Sequence, residues 1–574
     1  MGAADAPTWI VLGRAAEAIV AVELAADGSE SGRTPLSADE LVAWIAAREA
    51  SAPPRWVWND TPGWYDPVLA RGHRLARCHD LRLSHAILRD SAFVADDAAV
   101  RTAREWDAAP AAPDLRPALF DLDRDAESSR LPDGIDAVLA EFARQRDAVA
   151  TATEPARLRL LIAAESAGAL IAAELRSAGL PWDAAEHDRI LTEMLGPRPV
   201  GGGMPEKMDA AARLVRIALD DPTARLDSQP KLLRALHRVG VLVESTSRWE
   251  LAEHRHPVIE PLLEYKKLSR LLSANGWAWL GEWVHDGRFR PVYVPGGVVT
   301  GRWASSGGGA LQLPRQLRAA VRPDPGWRLV VADVAQLEPR VLAAISRDTA
   351  LARAAYGTDL YAGIVDLGAV TSRAEAKMAI LGAMYGATTG DSGRLVPRLR
   401  RTFPRAMALV DEAAATGERG GTVSTWLGRS SPAPSAEWLE RQSRANQVDA
   451  TSDAETRARR DARDRGRFTR NFIVQGSAAE WALSWLADLR QRLATMPAVP
   501  EGRAAPRSGI AFERRPHLAF FLHDEVIIHT PAELADEVAV ATRDAATAAG
   551  RLLFGDFPVD FPLDLRVADS AGKA

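Results

Sequence analysis

The chain has a single cysteine, Cys78, among its 574 residues. That excludes an internal disulfide framework and a cysteine-based zinc site. No run of about 18 apolar residues occurs, so no membrane-spanning helix is expected. The start, Met1-Gly2-Ala3-Ala4-Asp5, lacks the basic stretch and apolar core of a signal peptide. A cytoplasmic protein with no membrane partner is the natural expectation. Lysine is also scarce, with six among 71 basic residues, which makes Lys377 conspicuous. The net charge of −5 offers no overall attraction for nucleic acid, but totals hide distribution. Residues 391–470 hold sixteen arginines against eleven acids. Such an excess can follow a phosphate backbone, and it can equally be an ordinary solvated helical surface.

What is present is ordinary for a globular protein, with 47% hydrophobic and 26% charged residues. The length calls for several domains or subdomains. In the first 100 residues short apolar runs alternate with helical patterns, as in Trp9-Ile10-Val11-Leu12, Ala18–Val22 and Arg55-Trp56-Val57-Trp58, which predicts a small α/β domain. Residues 107–135 are rich in Pro and Asp and read as a linker. A helical pattern fills about 136–280, interrupted at Gly201-Gly202-Gly203. Strands and glycine loops are expected over 280–335 and helices over 337–415. A polar surface excursion is expected over 430–456, with helix resuming after Gln475-Gly476-Ser477 and running towards Leu493.

Three constellations carry chemistry. In Leu518–His529 two apolar runs flank His523-Asp524-Glu525, which predicts two strands joined by a tight turn with two adjacent acids. Acids at such a place cost stability unless a cation meets them. Upstream, Leu329-Val330-Val331-Ala332 ends on Asp333, and a helix is expected from near Leu337 with Pro339 in its first turn. An Asp before a helix is commonly an N-cap. Two carboxylates on neighbouring strands can instead hold a pair of metal ions for phosphoryl transfer. Third, Arg373, Lys377, Leu381 and Tyr385 recur every four residues and share one helical face. That face suits a nucleotide, with cations for phosphates and an apolar and an aromatic residue for sugar and base. It also suits a plain amphipathic helix.

At Asp333–Glu338, Arg373–Tyr385 and His523–Glu525 the chain resembles family A DNA polymerases, the DNA polymerase I group. Those enzymes have a metal-binding Asp followed by S-Q-I-E, a helix reading R-x3-K-x3-F-G-x2-Y-G, and a V-H-D-E turn. Thr300-Gly301-Arg302 with Ser305-Ser306 and Leu311-Gln312 is similar to the family's T-G-R-L-S-S segment. Thr425–Arg429 is similar to its T-L-x-G-R turn, Arg467, Asn471 and Gln475-Gly476 to its R-x3-N-x3-Q-G, and Glu264–Leu268 to its E-Y-R-x-L. The resemblance extends from about residue 160 to the C-terminus. It implies a multidomain α/β and α+β fold: a degenerate RNase H-like 3′–5′ exonuclease domain over 1–135, then a right-hand polymerase domain over 136–574. Within the latter, the thumb is expected at about 190–280, the palm at about 281–345 and 471–574, and the fingers at about 346–470.

The same resemblance implies template-directed DNA synthesis in repair or replication by a monomer, with primer–template DNA and dNTPs as partners. Asp333 and Asp524 are then the ligands of two Mg²⁺ ions, with Glu525 auxiliary. Arg373 and Lys377 bind the triphosphate, and Lys377 also donates a proton to the leaving group. Gln336, Glu338, Leu381 and Tyr385 line the nucleotide site, where Glu338 occupies the space of a ribose 2′-hydroxyl. Arg302, Arg467, Asn471, Gln475 and His523 contact the primer–template without reading sequence. Phage-type RNA polymerases share a similar plan but lack that Glu.

Departures from the pattern mark where this chain differs. Leu381 stands where the family has Phe or Tyr, Tyr361 replaces a His near the phosphates, and Val334-Ala335 replace an aromatic-Ser pair. In the N-terminal domain, Asn59–Asp66 and Asp80 resemble parts of the second exonuclease motif. The first motif is missing: Ile19–Glu23 offers one Glu and no Asp. No third motif is found, so lost exonuclease activity is expected. The competing reading is a non-catalytic DNA-binding scaffold on a polymerase fold, which the retained Asp333, Asp524, Arg373 and Lys377 disfavour.

Overall fold

A computed structural model of the chain describes residues 8–16, 18–107, 131–309, 313–357, 359–386, 390–447 and 450–572. Most of the expected linker, together with Leu311-Gln312 and Thr358, lies outside them. The chain divides into two compact units. One comprises Met1–Gly179, Val292–Ser306 and Pro325–Ala568, the other Leu180–Pro291, Gly307–Asp324 and Asp569–Ala574.

The first unit opens with a five-stranded sheet of β1 (Trp9–Ala15), β2 (Ala18–Leu24), β3 (Glu30–Leu36), β4 (Arg55–Trp58) and β5 (Cys78–Asp80), in the order β3-β2-β1-β4-β5. β1 to β3 form an antiparallel meander, whereas β4 and β5 join in parallel. Parallel joining needs a crossover, and the helix Ala38–Ser51 supplies the first, with a capping box at Ser37 and Glu40. Trp56, Trp58, Tyr65 and Ile45 fill one face of this sheet; Val11, Val57, Trp106 and Phe142 fill the other.

The second unit is mainly helical: Ala184–Leu195, Glu206–Ala218, Gln229–Arg238, Ile259–Asn275 and Trp277–Trp283. A small sheet of β6 (Leu180–Pro181), β7 (Val284–His285) and β8 (Arg288–Phe289) joins them. Trp182, His187, Trp279 and Phe289 form an aromatic cluster at its centre.

The first unit resumes with β9 (Val292–Val294) paired to β10 (Ala304–Gly307), then builds a four-stranded antiparallel sheet. Its strands are β11 (Trp327–Val334), β12 (His517–Leu522), β13 (Glu525–Pro531) and β14 (Leu563–Ala568), in the order β12-β13-β11-β14. β11 is central, which explains its nearly continuous apolar run. Helices Pro155–Ala178, Ser452–Thr495 and Ala535–Phe554 pack on these strands. A second core, including Ile364, Ile380, Met384, Phe403 and Ile473, holds together the helices that follow β11.

Two expectations are corrected. The 430–456 excursion contains the helix Ala436–Ala445, capped by Ser435 and docked through Gln442, which donates to the Ala458 carbonyl at 2.9 Å. Helix does not resume after Gln475-Gly476-Ser477: one helix of 44 residues runs unbroken through them, Ser452–Thr495. Gly476 is there for space, since a Cβ would stand 2.4 Å from Thr425 Cγ2 and 3.1 Å from the Thr300 carbonyl oxygen.

Candidate active site

The carboxylates meet at one end of the β11-centred sheet. Strand register sets Asp333 opposite Glu525 on β13 and opposite Asp564 on β14. Asp524 occupies the two-residue turn between β12 and β13, where its N–H donates to the Leu522 carbonyl at 2.7 Å and its carbonyl accepts from Val334 N–H at 3.0 Å. The preceding His523 has φ +57°, a left-handed conformation that lets so short a turn close. The two acids were expected side by side in the turn. Only Asp524 is there; Glu525 begins β13 and is buried. Behind the turn, the Tyr293 hydroxyl donates to the Phe521 carbonyl at 2.9 Å and accepts its N–H at 3.2 Å. Trp303 packs edge-on to both rings.

Burial, reinforced by the charge of Asp333, pushes the Asp524 carboxyl up to about 7, while Arg302 opposes the rise. A carboxylate raised in this way by a neighbouring acid is relieved by a cation. Oxygen-only donors suit a hard divalent ion such as Mg²⁺, so the residues fit the metals expected here. Among the described residues no group of three or more His, Cys, Asp or Glu is arranged to hold a metal. Two protein carboxylates suffice where substrate phosphates and water complete the shell.

A second cluster surrounds Glu338 in the first turn of the helix Leu337–Ser346. Its two carboxylate oxygens accept from the Arg302 guanidinium and from the Tyr385 hydroxyl. Tyr385 ends the helix Arg373–Tyr385, which Ser372 caps at one end and Gly386, at φ +75°, closes at the other. The four-residue spacing does define one face: Arg373, Lys377 and Tyr385 are exposed and Leu381 is half-buried, while Ala376, Ala379, Ile380 and Ala383 face the core. Arg302 links the two clusters, since it pairs with Glu338 and its charge acts on both Asp524 and His523.

The other expected residues are accounted for in turn. Gln336, at φ +50°, turns its Oε1 to the Leu360 N–H at 3.2 Å. Gln475 accepts from the Thr300 hydroxyl at 2.9 Å. Asn471, one turn before it, is half-buried with an Oδ1 that has no hydrogen-bond partner among the described residues. Arg467 pairs with Asp464 and lies against Gly386. Arg373 is engaged by Asp359 and Tyr361, a pairing that the sequence did not suggest. The sequence reading also missed a cavity of about 1810 Å³ within the second unit, lined by Lys207, Arg248, Lys266, Lys267 and Arg270. The concentration of scarce lysine there was its available signal.

Residues 237–572, more than half of the chain, match the family described as DNA polymerase family A. The chain belongs to DNA polymerase family A. Among its relatives, it is 25% identical over 402 residues to the thermostable DNA polymerase I of Thermus filiformis, covering 64% of this chain and 41% of the relative. It is 28% identical over 340 residues to DNA polymerase I of Chloroflexus aurantiacus, covering 54% and 32%. The chain thus spans about two fifths or less of these family A relatives. The POL domain of Pol1 from M. smegmatis, solved in complex with DNA primer-template and dNTP, superposes with a TM-score of 0.67 at 18% identity, over 99% of this chain and 95% of that one. This family A fold therefore extends beyond the matched residues. Among the described residues no helix is long and apolar enough to cross a membrane.

Proposed function

We propose that this family A chain carries out template-directed DNA synthesis, adding deoxynucleotides to a primer 3′-hydroxyl. The observation that carries the reading is the junction of Asp333 and Asp524 at one sheet end, joined through Arg302 to Glu338, which in turn holds Tyr385 at the end of the cationic helix. The relatives' names and the DNA primer-template and dNTP of the structural neighbour support it.

Asp333 and Asp524 would hold two Mg²⁺ ions, which when bound supply Lewis-acid stabilisation of the charge developing at the attacking and leaving oxygens. Glu525, buried beside them, adds negative potential without leaving the sheet. Arg373 and Lys377 neutralise the triphosphate, and the Lys377 ammonium is the proton source for the departing pyrophosphate oxygen. Glu338 is held by two donors, so its position is fixed, as a barrier to a 2′-hydroxyl requires. Leu381 offers the sugar an aliphatic surface. Arg302, Arg467, Asn471, Gln475 and His523 touch the primer–template, mainly in the minor groove or backbone, where acceptors are common to all correct pairs. A role in repair or replication and action as a monomer in the cytoplasm belong to the same proposal.

The N-terminal domain is read as a degenerate exonuclease domain of RNase H-like type. Its meander of three strands followed by two parallel ones supports that descent. The opening strand β1 contains no acid, and Ile19–Glu23, which lies on β2, offers only Glu23. Glu23 pairs with Arg48 at 2.6 Å. Asp80 is fully buried and spent on the N–H groups of Thr61 (2.9 Å) and Leu83 (3.0 Å). Such a set does not suit two-metal hydrolysis.

The test is extension of a labelled primer on a template with Mg²⁺, giving dNTPs and rNTPs separately, beside a lane without nucleotides. Extension with dNTPs alone and an intact 3′ end without nucleotides are expected. Absence of extension despite duplex binding would favour the scaffold instead.

A further inference from the structure

Arg373 is exposed at the start of its helix, yet it is not loose. Its Nε donates to Asp359 Oδ2 at 2.6 Å, and its guanidinium lies 5.4 Å from the centre of the Tyr361 ring. Asp359 divides its carboxylate between two tasks. Oδ1 accepts the N–H groups of Tyr361 (3.1 Å) and Ala362 (3.4 Å), capping the helix Leu360–Asp366. Oδ2 is left for Arg373. The anchor itself is rigid, because Leu360, Tyr361 and Ile364 are buried in the same core as Ala376, Ala379 and Ile380 of the Arg373 helix.

An ion pair this exposed adds little to stability, so its effect is directional. Arginine loses much rotamer freedom when it engages a ligand, and a side chain already fixed loses less. Monodentate capture at Nε leaves the Nη1/Nη2 fork as the edge presented away from Asp359, and that edge matches two phosphate oxygens. The Tyr361 face supports the guanidinium plane from beneath. We propose that Asp359 and Tyr361 are positioning residues that pre-set Arg373 for the triphosphate of the incoming nucleotide. This rests on the polymerase reading. The negative charge of Asp359 repels a triphosphate, so the sign of the effect on affinity decides between pre-setting and competition.

The experiment is a titration of dATP against the full chain bound to a primer–template whose primer ends in a dideoxynucleotide, with steady-state incorporation on an extendable primer in parallel. Asp359→Ser keeps a capping hydroxyl but is too short to reach Arg373. Asp359→Asn keeps the cap through its one carbonyl oxygen but turns its NH2 to Arg373, so it loses the acceptor together with the charge. Asp359→Ser is expected to raise Kd and KM for dATP by about three- to ten-fold, with kcat changed by less than about two-fold. Asp359→Asn and Tyr361→Leu should weaken binding as Asp359→Ser does, and Tyr361→Phe should stay within about two-fold of the parent in Kd. Unchanged or tighter binding by Asp359→Ser would overturn the proposal. So would parent-like binding by Asp359→Asn. Should the parent bind dATP yet fail to extend a primer, the polymerase reading fails while the titration still decides the role of Asp359.

Discussion

Glu174 is the buried centre of an ionic cluster that ties the N-terminal sheet domain to the two long helices of the same unit. It accepts from the Tyr65 hydroxyl at 2.6 Å, from Arg74 at 2.8 Å and from Arg490 at 2.7 Å. Burial alone would raise its carboxyl; Arg490 and Arg74 overcome that and hold it at about 2, against 4.5 for an ordinary glutamate. At about 1.4 kcal/mol per tenfold in proton affinity, the gap is worth about 3 kcal/mol. Because the folded-state value is depressed, this stability is present above about pH 4.5 and is lost as pH falls towards 2. Glu174→Gln should remove it at neutral pH and leave two arginines short of a counter-charge. Urea unfolding followed by tryptophan fluorescence is the assay, since Trp56, Trp58 and Trp64 report on the sheet domain. With an m-value of about 2 kcal/mol/M, the midpoint of that transition should fall by about 1.5 M, and the difference from the parent should narrow from pH 5 towards pH 3. A fall of less than about 0.3 M at pH 7.5 would refute the reasoning.

Further outcomes follow from other buried or departing residues. Burial pushes the Glu480 carboxyl up to about 7, although the Thr425 hydroxyl and the Leu427 N–H, at 2.9 Å, donate to it. Its folded form therefore keeps a proton that the unfolded chain has lost above about 4.5, and stability falls as pH rises through that window. Thermal midpoints between pH 5 and 8 should fall more steeply for the parent than for Glu480→Gln; parallel curves would contradict this. Leu381→Phe should shift incorporation against dideoxynucleotides, read as the ratio of dideoxy to deoxy insertion. An unchanged ratio would mean that Leu381 does not touch the sugar.

Much of the site was legible because its residues sit where periodicity changes. Asp333 ends an apolar run, His523-Asp524 separates two, and four-residue spacing placed Arg373, Lys377, Leu381 and Tyr385 on one exposed face. What was not legible depends on contacts distant in sequence. The capture of Arg373 by Asp359 spans the helix Leu360–Asp366 and the loop after it, and the grip of Arg302 and Tyr385 on Glu338 joins three segments. Gly476 misled for a related reason: glycine inside a helix reads as a break, yet here packing against Thr300 and Thr425 requires it. The Ala436–Ala445 helix was hidden because it buries no residue fully, so its polar sequence carries no strong apolar stripe.

The most direct measurement compares primer–template affinity and single-nucleotide incorporation for the parent, Asp333→Ala and Asp524→Ala under the same Mg²⁺ and salt. If the two carboxylates hold the catalytic ions, each variant should bind the duplex about as well as the parent while incorporation falls by about a thousand-fold or more. Losses in binding equal to losses in rate, or incorporation within about ten-fold of the parent, would contradict the assignment of Asp333 and Asp524 as the metal-holding pair.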